Sequence, residues 1–259
     1  MKEVSHRPRK RFGQNFLQNQ SIIAQIIAAI HLSSTDTVVE IGPGMGAMTQ
    51  ALLKILPKLT AVEIDRDLCA LLNETYNSEQ LQLINADALT VSYNQLGTGL
   101  RVVGNLPYNI STPLLIHLFG FVSSIQDMHF MLQKEVVERL VASPGSKDYG
   151  RLSIITQYYC QADFLFEVPP EAFFPKPKVD SAIVRLKPYI SSPYPKVDII
   201  RFQNLVAQAF SMRRKTLANN LKPLLSANEI SNLGIDPSRR PEQISIREYI
   251  DISKHLEMI

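Results

Sequence analysis

The sequence has two cysteines, Cys69 and Cys160, far apart and each in apolar surroundings. A disulfide framework or a cysteine-rich zinc site has nothing to build on, and a reducing, cytoplasmic compartment is expected. Histidines are few and scattered (His6, His31, His117, His129 and His255), with no His-x-x-x-His pair, so no metal site is expected. No motif for a nucleophilic Ser or Cys mechanism occurs. Long apolar runs are missing as well: the strongest, Ile22 to Ile30, is interrupted by Gln25 and falls well short of the roughly 20 residues of a membrane span. An export leader would need an apolar segment directly after its basic start. Arg11 is instead followed by Phe12-Gly13-Gln14-Asn15, and export is not expected. Net charge is only +3, but it is unevenly placed. Lys2, Arg7, Arg9, Lys10 and Arg11 stand against Glu3 alone at the start, and residues 199–228 carry five basic residues and no acid. Such local excess points to contact with a polyanion.

The 259 residues suffice for one large domain or for a domain of about 180 residues with a small companion. With 45% hydrophobic and 20% charged residues, collagenous, disordered and repeat-polymer classes are excluded. Ser21 is placed to cap a helix whose Ile22, Ile23, Ile26, Ile27 and Ile30 form one buried face. Short, nearly continuous apolar runs then recur about every 20 residues, at Thr37–Ile41, Leu59–Ile64, Leu81–Asn85, Leu100–Gly104 and Met128–Leu132. Runs of this kind suit strands covered on both faces, and helical patterns between them predict a parallel α/β sheet. Phe164–Val168 and Ser181–Leu186 lack a good helix between them and are expected to end the sheet as an antiparallel, hairpin-like pair. Pro188, Pro193 and Pro195 then mark a linker, so domains of residues 1–188 and 189–259 are expected. Beyond it, Phe202, Leu205, Val206, Ala209 and Phe210 follow helical spacing, and further helical patterns at Leu217–Leu225, Ala227–Leu233 and Ile246–Leu256 predict a small all-helical domain.

The chemistry gathers at the strand ends. The first strand leads through Glu40-Ile41-Gly42-Pro43-Gly44-Met45-Gly46 into a helix near Ala47. Glycines at alternate positions let a ligand approach the backbone, but a dinucleotide loop spaces its last glycine one residue further on. The next two strands end in acids, Glu63 and Asp87. Acids repel a pyrophosphate, whereas a nucleoside with a sulfonium and free ribose hydroxyls suits them, so S-adenosylmethionine fits better than NAD. The fourth strand ends in Asn105-Leu106-Pro107-Tyr108, at the rim where open α/β sheets bind ligands. The lone pair of an adenine amine is delocalised into its ring. Two acceptors on the two N–H bonds, the Asn105 side-chain oxygen and the Leu106 carbonyl, favour a pyramidal nitrogen with its lone pair aimed at a methyl group. Pro107 restricts Leu106 to extended conformations, and Tyr108 offers a stacking face.

In these motifs, and in Phe12-Gly13-Gln14-Asn15-Phe16-Leu17, Asn109-Ile110-Ser111, Phe173-Phe174-Pro175-Lys176-Pro177-Lys178-Val179-Asp180-Ser181 and Arg213-Arg214-Lys215, the sequence resembles the KsgA-type small-subunit ribosomal RNA adenine dimethyltransferases over nearly its whole length. The resemblance implies a class I methyltransferase (Rossmann-like), mostly parallel sheet with a C-terminal helical domain, and S-adenosylmethionine as donor. It implies dimethylation at N6 of two adjacent adenines near the 3′ end of the small-subunit RNA, in an assembling subunit. Asn15, Leu17, Gly42, Gly44, Glu63, Asp87 and Asn105 would then hold the donor, with Glu63 on the ribose hydroxyls and Asp87 near the donor's adenine amine. Asn105, Leu106, Pro107 and Tyr108 would handle the target base, sandwiched between Tyr108 and Phe173, with Phe174 in the core. Arg7, Arg9, Lys10, Arg11, Arg213, Arg214 and Lys215 would contact RNA. The expected state is a cytoplasmic monomer. Two other readings share these features: a large-subunit adenine methyltransferase of the antibiotic-resistance type, and an RNA-binding relative without turnover. Asn109-Ile110-Ser111 and Leu106 favour the small-subunit family over the first, and the intact Asn105–Tyr108 motif argues against the second.

Overall fold

The computed structural model of the chain describes residues 14–212 and 214–258, so Arg7, Arg9, Lys10, Arg11 and Arg213 lie outside the described residues. Contacts divide the chain into two compact units, Met1–Val137 with Ala162–Pro188, and Glu138–Gln161 with Tyr189–Ile259.

In the first unit, β1 (Phe16–Leu17) and α1 (Gln20–Ile30) precede an alternation of strands and helices. These are β2 (Val38–Ile41), α2 (Ala47–Leu52), β3 (Leu59–Glu63), α3 (Arg66–Thr75), β4 (Leu81–Asn85), β5 (Leu100–Asn105), α4 (Ser111–Phe119), β6 (Ile125–Gln133) and α5 (Lys134–Val141), whose second half, from Glu138, counts with the second unit. After them come β7 (Cys160–Val168), β8 (Phe173–Phe174) and β9 (Ser181–Pro188). Seven strands form one sheet in the order β4-β3-β2-β5-β6-β9-β7. Its first five strands are parallel, and β9 runs antiparallel to β6. All four residues of β2 are buried, as are the first five of β5, in keeping with apolar runs covered on both faces. The two late strands are not a simple hairpin. β9 lies between β6 and β7, and β8 intervenes in the chain to pair with β1 in a separate two-stranded ribbon.

Helix α1 buries Ile23, Ile26 and Ile30, and its cap is Asn19 rather than Ser21. The Asn19 side-chain oxygen accepts the N–H groups of Ser21 and Ile22 at 3.0 and 3.1 Å, which starts the helix at Gln20, ahead of a start set by Ser21. At the end of the sheet remote from the strand tips of Glu63 and Asn105, the buried Arg101 guanidinium makes a two-pronged bond to Asp127, at 3.0 and 2.8 Å, and a third to Asp36 at 2.8 Å. It also donates to the Ile30 and His31 carbonyls at the end of α1. The charge is therefore fully hydrogen-bonded, as burial demands.

The second unit holds α6 (Arg151–Tyr159), α7 (Ile199–Ala209), α8 (Leu217–Leu221), α9 (Ala227–Asn232) and α10 (Ile246–Met258). Helix α6 packs on α7 and α10, with Ile154, Ile155, Phe202, Val206, Tyr249 and Ile250 buried. This packing moves residues 138–161 into the helical unit, so the boundary at Pro188 divides the chain as expected on one side only. The proline-rich break marks where the chain leaves the sheet for good and carries no record of the earlier excursion.

Sheet packing leaves no room at Gly104: a Cβ there would lie 2.5 Å from the Ile41 carbonyl oxygen of the neighbouring strand. Gly104→Ala is expected to cost about 2–3 kcal/mol, because a backbone oxygen cannot rotate away from the clash. Urea unfolding measures this, and an unchanged midpoint would show that β2 and β5 can separate freely.

Candidate active site

The parallel register brings the strand tips together. Ile41 aligns with Val62 on one side and Gly104 on the other, and Glu63 aligns with Asn85. Around these tips lies a cavity of about 260 Å3. Its wall includes Asn15, Leu17, Gly42, Gly44, Glu63, Asp87 and the run Asn105 to Tyr108, so every donor-site residue expected from the sequence reaches one place.

The glycine loop uses backbone that a side chain would oppose. Gly42, Gly44 and Gly46 have φ of 68°, 59° and 83°. At Gly44 a Cβ would also come within 3.1 Å of the Phe16 ring, so β1 closes directly over the loop. Glu63 is buried beneath it. Its two carboxylate oxygens accept the N–H groups of Gly44 at 3.2 Å and Asp65 at 2.9 Å. Burial raises its pKa, and these two N–H groups pull it back. Each oxygen retains a lone pair for a further donor, which is what a ribose diol needs. Asp87 accepts the Leu89 N–H on one oxygen at 2.9 Å, in a tight turn that follows β4.

Asn105 is oriented by an outside partner. Its Nδ2 donates to the Asn15 carbonyl at 2.9 Å, which assigns the amide and makes Oδ1 its acceptor. Next to it, the Leu106 N–H donates to the Met131 carbonyl at 3.1 Å, while the Pro107 and Tyr108 carbonyls accept from Ile110 and Ser111. None of the described residues donates to the Leu106 carbonyl. Tyr108 is held through its hydroxyl, 2.9 Å from Ser181 Oγ, and burial raises its pKa.

The two aromatics of the proline-rich segment change places relative to expectation. Phe173 is 5% exposed and belongs to the core cluster that contains Leu17, Met131 and Ile183, whereas Phe174 is 59% exposed. The cause is strand alternation. Leu17 opposite Phe173 faces the core, and Phe16 opposite Phe174 faces the other way. Neither phenylalanine lines the cavity, so a base-stacking role for Phe173 would require it to leave the core.

Residues 5–258 match the family described as ribosomal RNA adenine dimethylase. The chain belongs to that family. A curated member, ribosomal RNA small subunit methyltransferase A of Legionella pneumophila strain Corby, is 59% identical over 254 residues, covering 98% of this chain and 99% of its own. Among solved structures, a dimethyladenosine transferase from Plasmodium falciparum superposes with a TM-score of 0.77 at 27% identity, covering 94% of this chain and 98% of that one. The 23S rRNA methyltransferase ErmE shares the fold, with a TM-score of 0.71 at 24% identity over 94% of this chain and 100% of its own.

This ribosomal RNA adenine dimethylase has cavity residues that the sequence reading missed. Ile64 and Met45 are 44% and 42% exposed and flank the two acids and the loop with apolar surface. Ile64, an isoleucine left uncovered between Glu63 and Asp65, could have been found from that placing alone. Gln14 reaches across to Asp65 at 3.1 Å. Glu40, read only as part of the loop, is 1% exposed and accepts the Thr49 hydroxyl at 2.7 Å. Among the described residues no group of three His, Cys, Asp or Glu side chains could hold a metal ion, and no helix is long and apolar enough to cross a membrane.

Burial pushes the Glu40 carboxyl up to about 7, against the pull of Thr49 and with a further push from the nearby Glu63 charge. The folded chain therefore holds this proton in a window, from about 4.5 to about 7, where the unfolded chain has released it. Stability from this site is greatest below the window and falls as pH rises through it. Glu40→Gln keeps the shape without the charge. Relative to the parent, it should gain about 2–3 kcal/mol between pH 5 and pH 8 in urea unfolding. Equal differences at the two pH values would mean that Glu40 is ionised throughout.

Proposed function

We propose that this enzyme transfers methyl groups from S-adenosylmethionine to N6 of two adjacent adenines near the 3′ end of small-subunit ribosomal RNA, within an assembling subunit in the cytoplasm, and that it works as a monomer. The 59% identity to a small-subunit methyltransferase along the full chain supports this substrate over a large-subunit one. The likeness to ErmE concerns the fold.

One observation carries the chemistry: the Asn15 carbonyl takes the Asn105 amide nitrogen, and the neighbouring Leu106 carbonyl has no donor among the described residues. Two acceptors at the cavity wall are thus set for the two N–H bonds of one amine. Asn105 and Leu106 hold the amine so that its lone pair points along one direction. Tyr108, fixed through Ser181, supplies a face for the ring. The cavity fits the donor: Glu63 retains acceptor capacity for a diol, Asp87 stands at the adjacent tip, and Gly42 and Gly44 admit close approach, with Asn15 and Leu17 behind. S-adenosylmethionine, when bound, supplies a methyl group on a sulfonium, whose sulfur takes back the electron pair as the nitrogen bonds to carbon. The methylated amine is acidic enough to shed its proton to nearby acceptors or water, so no general base is assigned.

RNA must be held elsewhere too, since taking an adenine out of its stack costs a few kcal/mol. Arg214 and Lys215 are exposed in the connection between α7 and α8. That turn is pinned by the Asn220 side chain, which donates to the Met212 carbonyl at 3.2 Å. With Arg213 and the arm Arg7, Arg9, Lys10 and Arg11, which lie outside the described residues, they form the phosphate-binding set of this proposal.

Two variants test the proposal. Asn105→Ala should lower the single-turnover rate of methyl transfer far more than it weakens RNA binding, since the acceptor matters most as the nitrogen becomes pyramidal. A rate equal to the parent's would remove Asn105 from the chemistry. Glu63→Ala should weaken donor binding about 10- to 150-fold in calorimetry, the loss of one or more charge-assisted hydrogen bonds. Unchanged donor affinity would place the ribose elsewhere.

A further inference from the structure

The segment between β8 and β9 is tied to the candidate active site at both ends. At its start, Phe174 pairs with Phe16, whose ring covers Gly44 and lines the cavity. At its end, Ser181 meets the Tyr108 hydroxyl at 2.9 Å, and the preceding Asp180 carbonyl accepts the Lys134 N–H at 3.0 Å. Residues opposite one another in an antiparallel pair project from the same face, so Phe174 shares the face of Phe16. Phe16 is 8% exposed and sits in the wall, whereas Phe174 is 59% exposed and stands outside it. A bare phenylalanine at the margin of a polar-tipped cavity satisfies no packing requirement of the folded chain.

Its surroundings say what would cover it. Val179, 42% exposed, adds apolar surface to the same segment. Lys178 is exposed and has no ion-pair partner among the described residues, and Lys176 is paired only with the exposed Glu171. An aromatic face with an unpaired cation, Lys178, on the same segment matches a nucleotide, whose base stacks and whose phosphate carries the complementary charge.

We infer that Phe174 is a stacking platform for the unpaired nucleotide next to the target adenine. The cavity then takes one base while Phe174 holds its neighbour, so a strand with adjacent target bases is gripped in register as each in turn is presented. This rests on the function proposed above and adds a residue that reads the flank of the target.

The test uses RNAs in which 2-aminopurine, a base whose fluorescence reports stacking, replaces the target adenine or the nucleotide 5′ or 3′ of it, with the full-length protein and saturating donor. Phe174→Ala should abolish the fluorescence change at one flanking position and weaken RNA binding about 5- to 150-fold, leaving the change at the target position and the donor affinity intact. Phe174→Trp should restore the flanking signal, and Phe174→Leu, apolar but without a π-face, should not. An unchanged flanking signal in Phe174→Ala overturns the inference. Loss of the target-position signal with donor affinity intact also overturns it, by assigning Phe174 to the target base itself. A parent protein that transfers no methyl group to RNA would instead overturn the proposed function, so the two failures are distinct.

Discussion

The hydrogen bond from Asn105 Nδ2 to the Asn15 carbonyl is a single 2.9 Å contact between residues 90 positions apart, and the polarity of the site follows from it. A side-chain amide at a strand tip can present either its oxygen or its nitrogen. With the nitrogen engaged by a backbone carbonyl, the oxygen is left as an acceptor for a hydrogen-bond donor. Asn15 stays where it is because the next two residues form the β1–β8 ribbon, whose Phe16 ring lies against Gly44 and whose Leu17 enters the core. Loop, ribbon and motif therefore touch one another in turn.

A second constraint is electrostatic. Glu40 and Glu63 are both buried near the glycine loop; the Glu63 charge adds to the burial that raises the Glu40 pKa, and the Asp65 charge adds to the burial that raises that of Glu63. The sequence supplies local compensation, a hydroxyl for Glu40 and two backbone N–H groups for Glu63, and among the described residues no cationic side chain lines the cavity. Such a site favours a cationic ligand over an anionic one, because a positive charge relieves the repulsion that folding has left in place. This is the physical content of the distinction, first visible in the spacing of glycines and acids, between a sulfonium nucleoside and a dinucleotide.

Of the five parallel strands, β2, β3, β5 and β6 were legible as buried apolar runs, a pattern set by covering both faces of a sheet, and the edge strand β4 by its spacing among them, with Leu81 alone buried. The strand-tip residues Glu63, Asp87 and Asn105 were legible for a related reason: polar residues at the ends of such runs have few explanations besides a site. What escaped were features with no period. The ribbon of Phe16–Leu17 and Phe173–Phe174 is two residues long on each side, too short for alternation to show which phenylalanine turns inward. The α1 cap went to Asn19 instead of Ser21 because both are good cap residues and only the backbone decides between them. Residues 138–161 joined the helical unit through packing of α6, a choice between two apolar surfaces that composition does not record.

The ribbon has one more consequence, for the order in which the chain is made. Phe16–Leu17 is synthesised long before its strand partner, Phe173–Phe174. The sheet rim and its glycine loop can assemble earlier, since β2 to β6 are local repeats of strand and helix. A nascent chain that has completed those repeats still lacks the strand that holds Asn15 in place, and with it the fixed orientation of Asn105. The orientation of Asn105 is thus completed only once residues 173 and 174 have been made, after the strand-and-helix repeats and not with them.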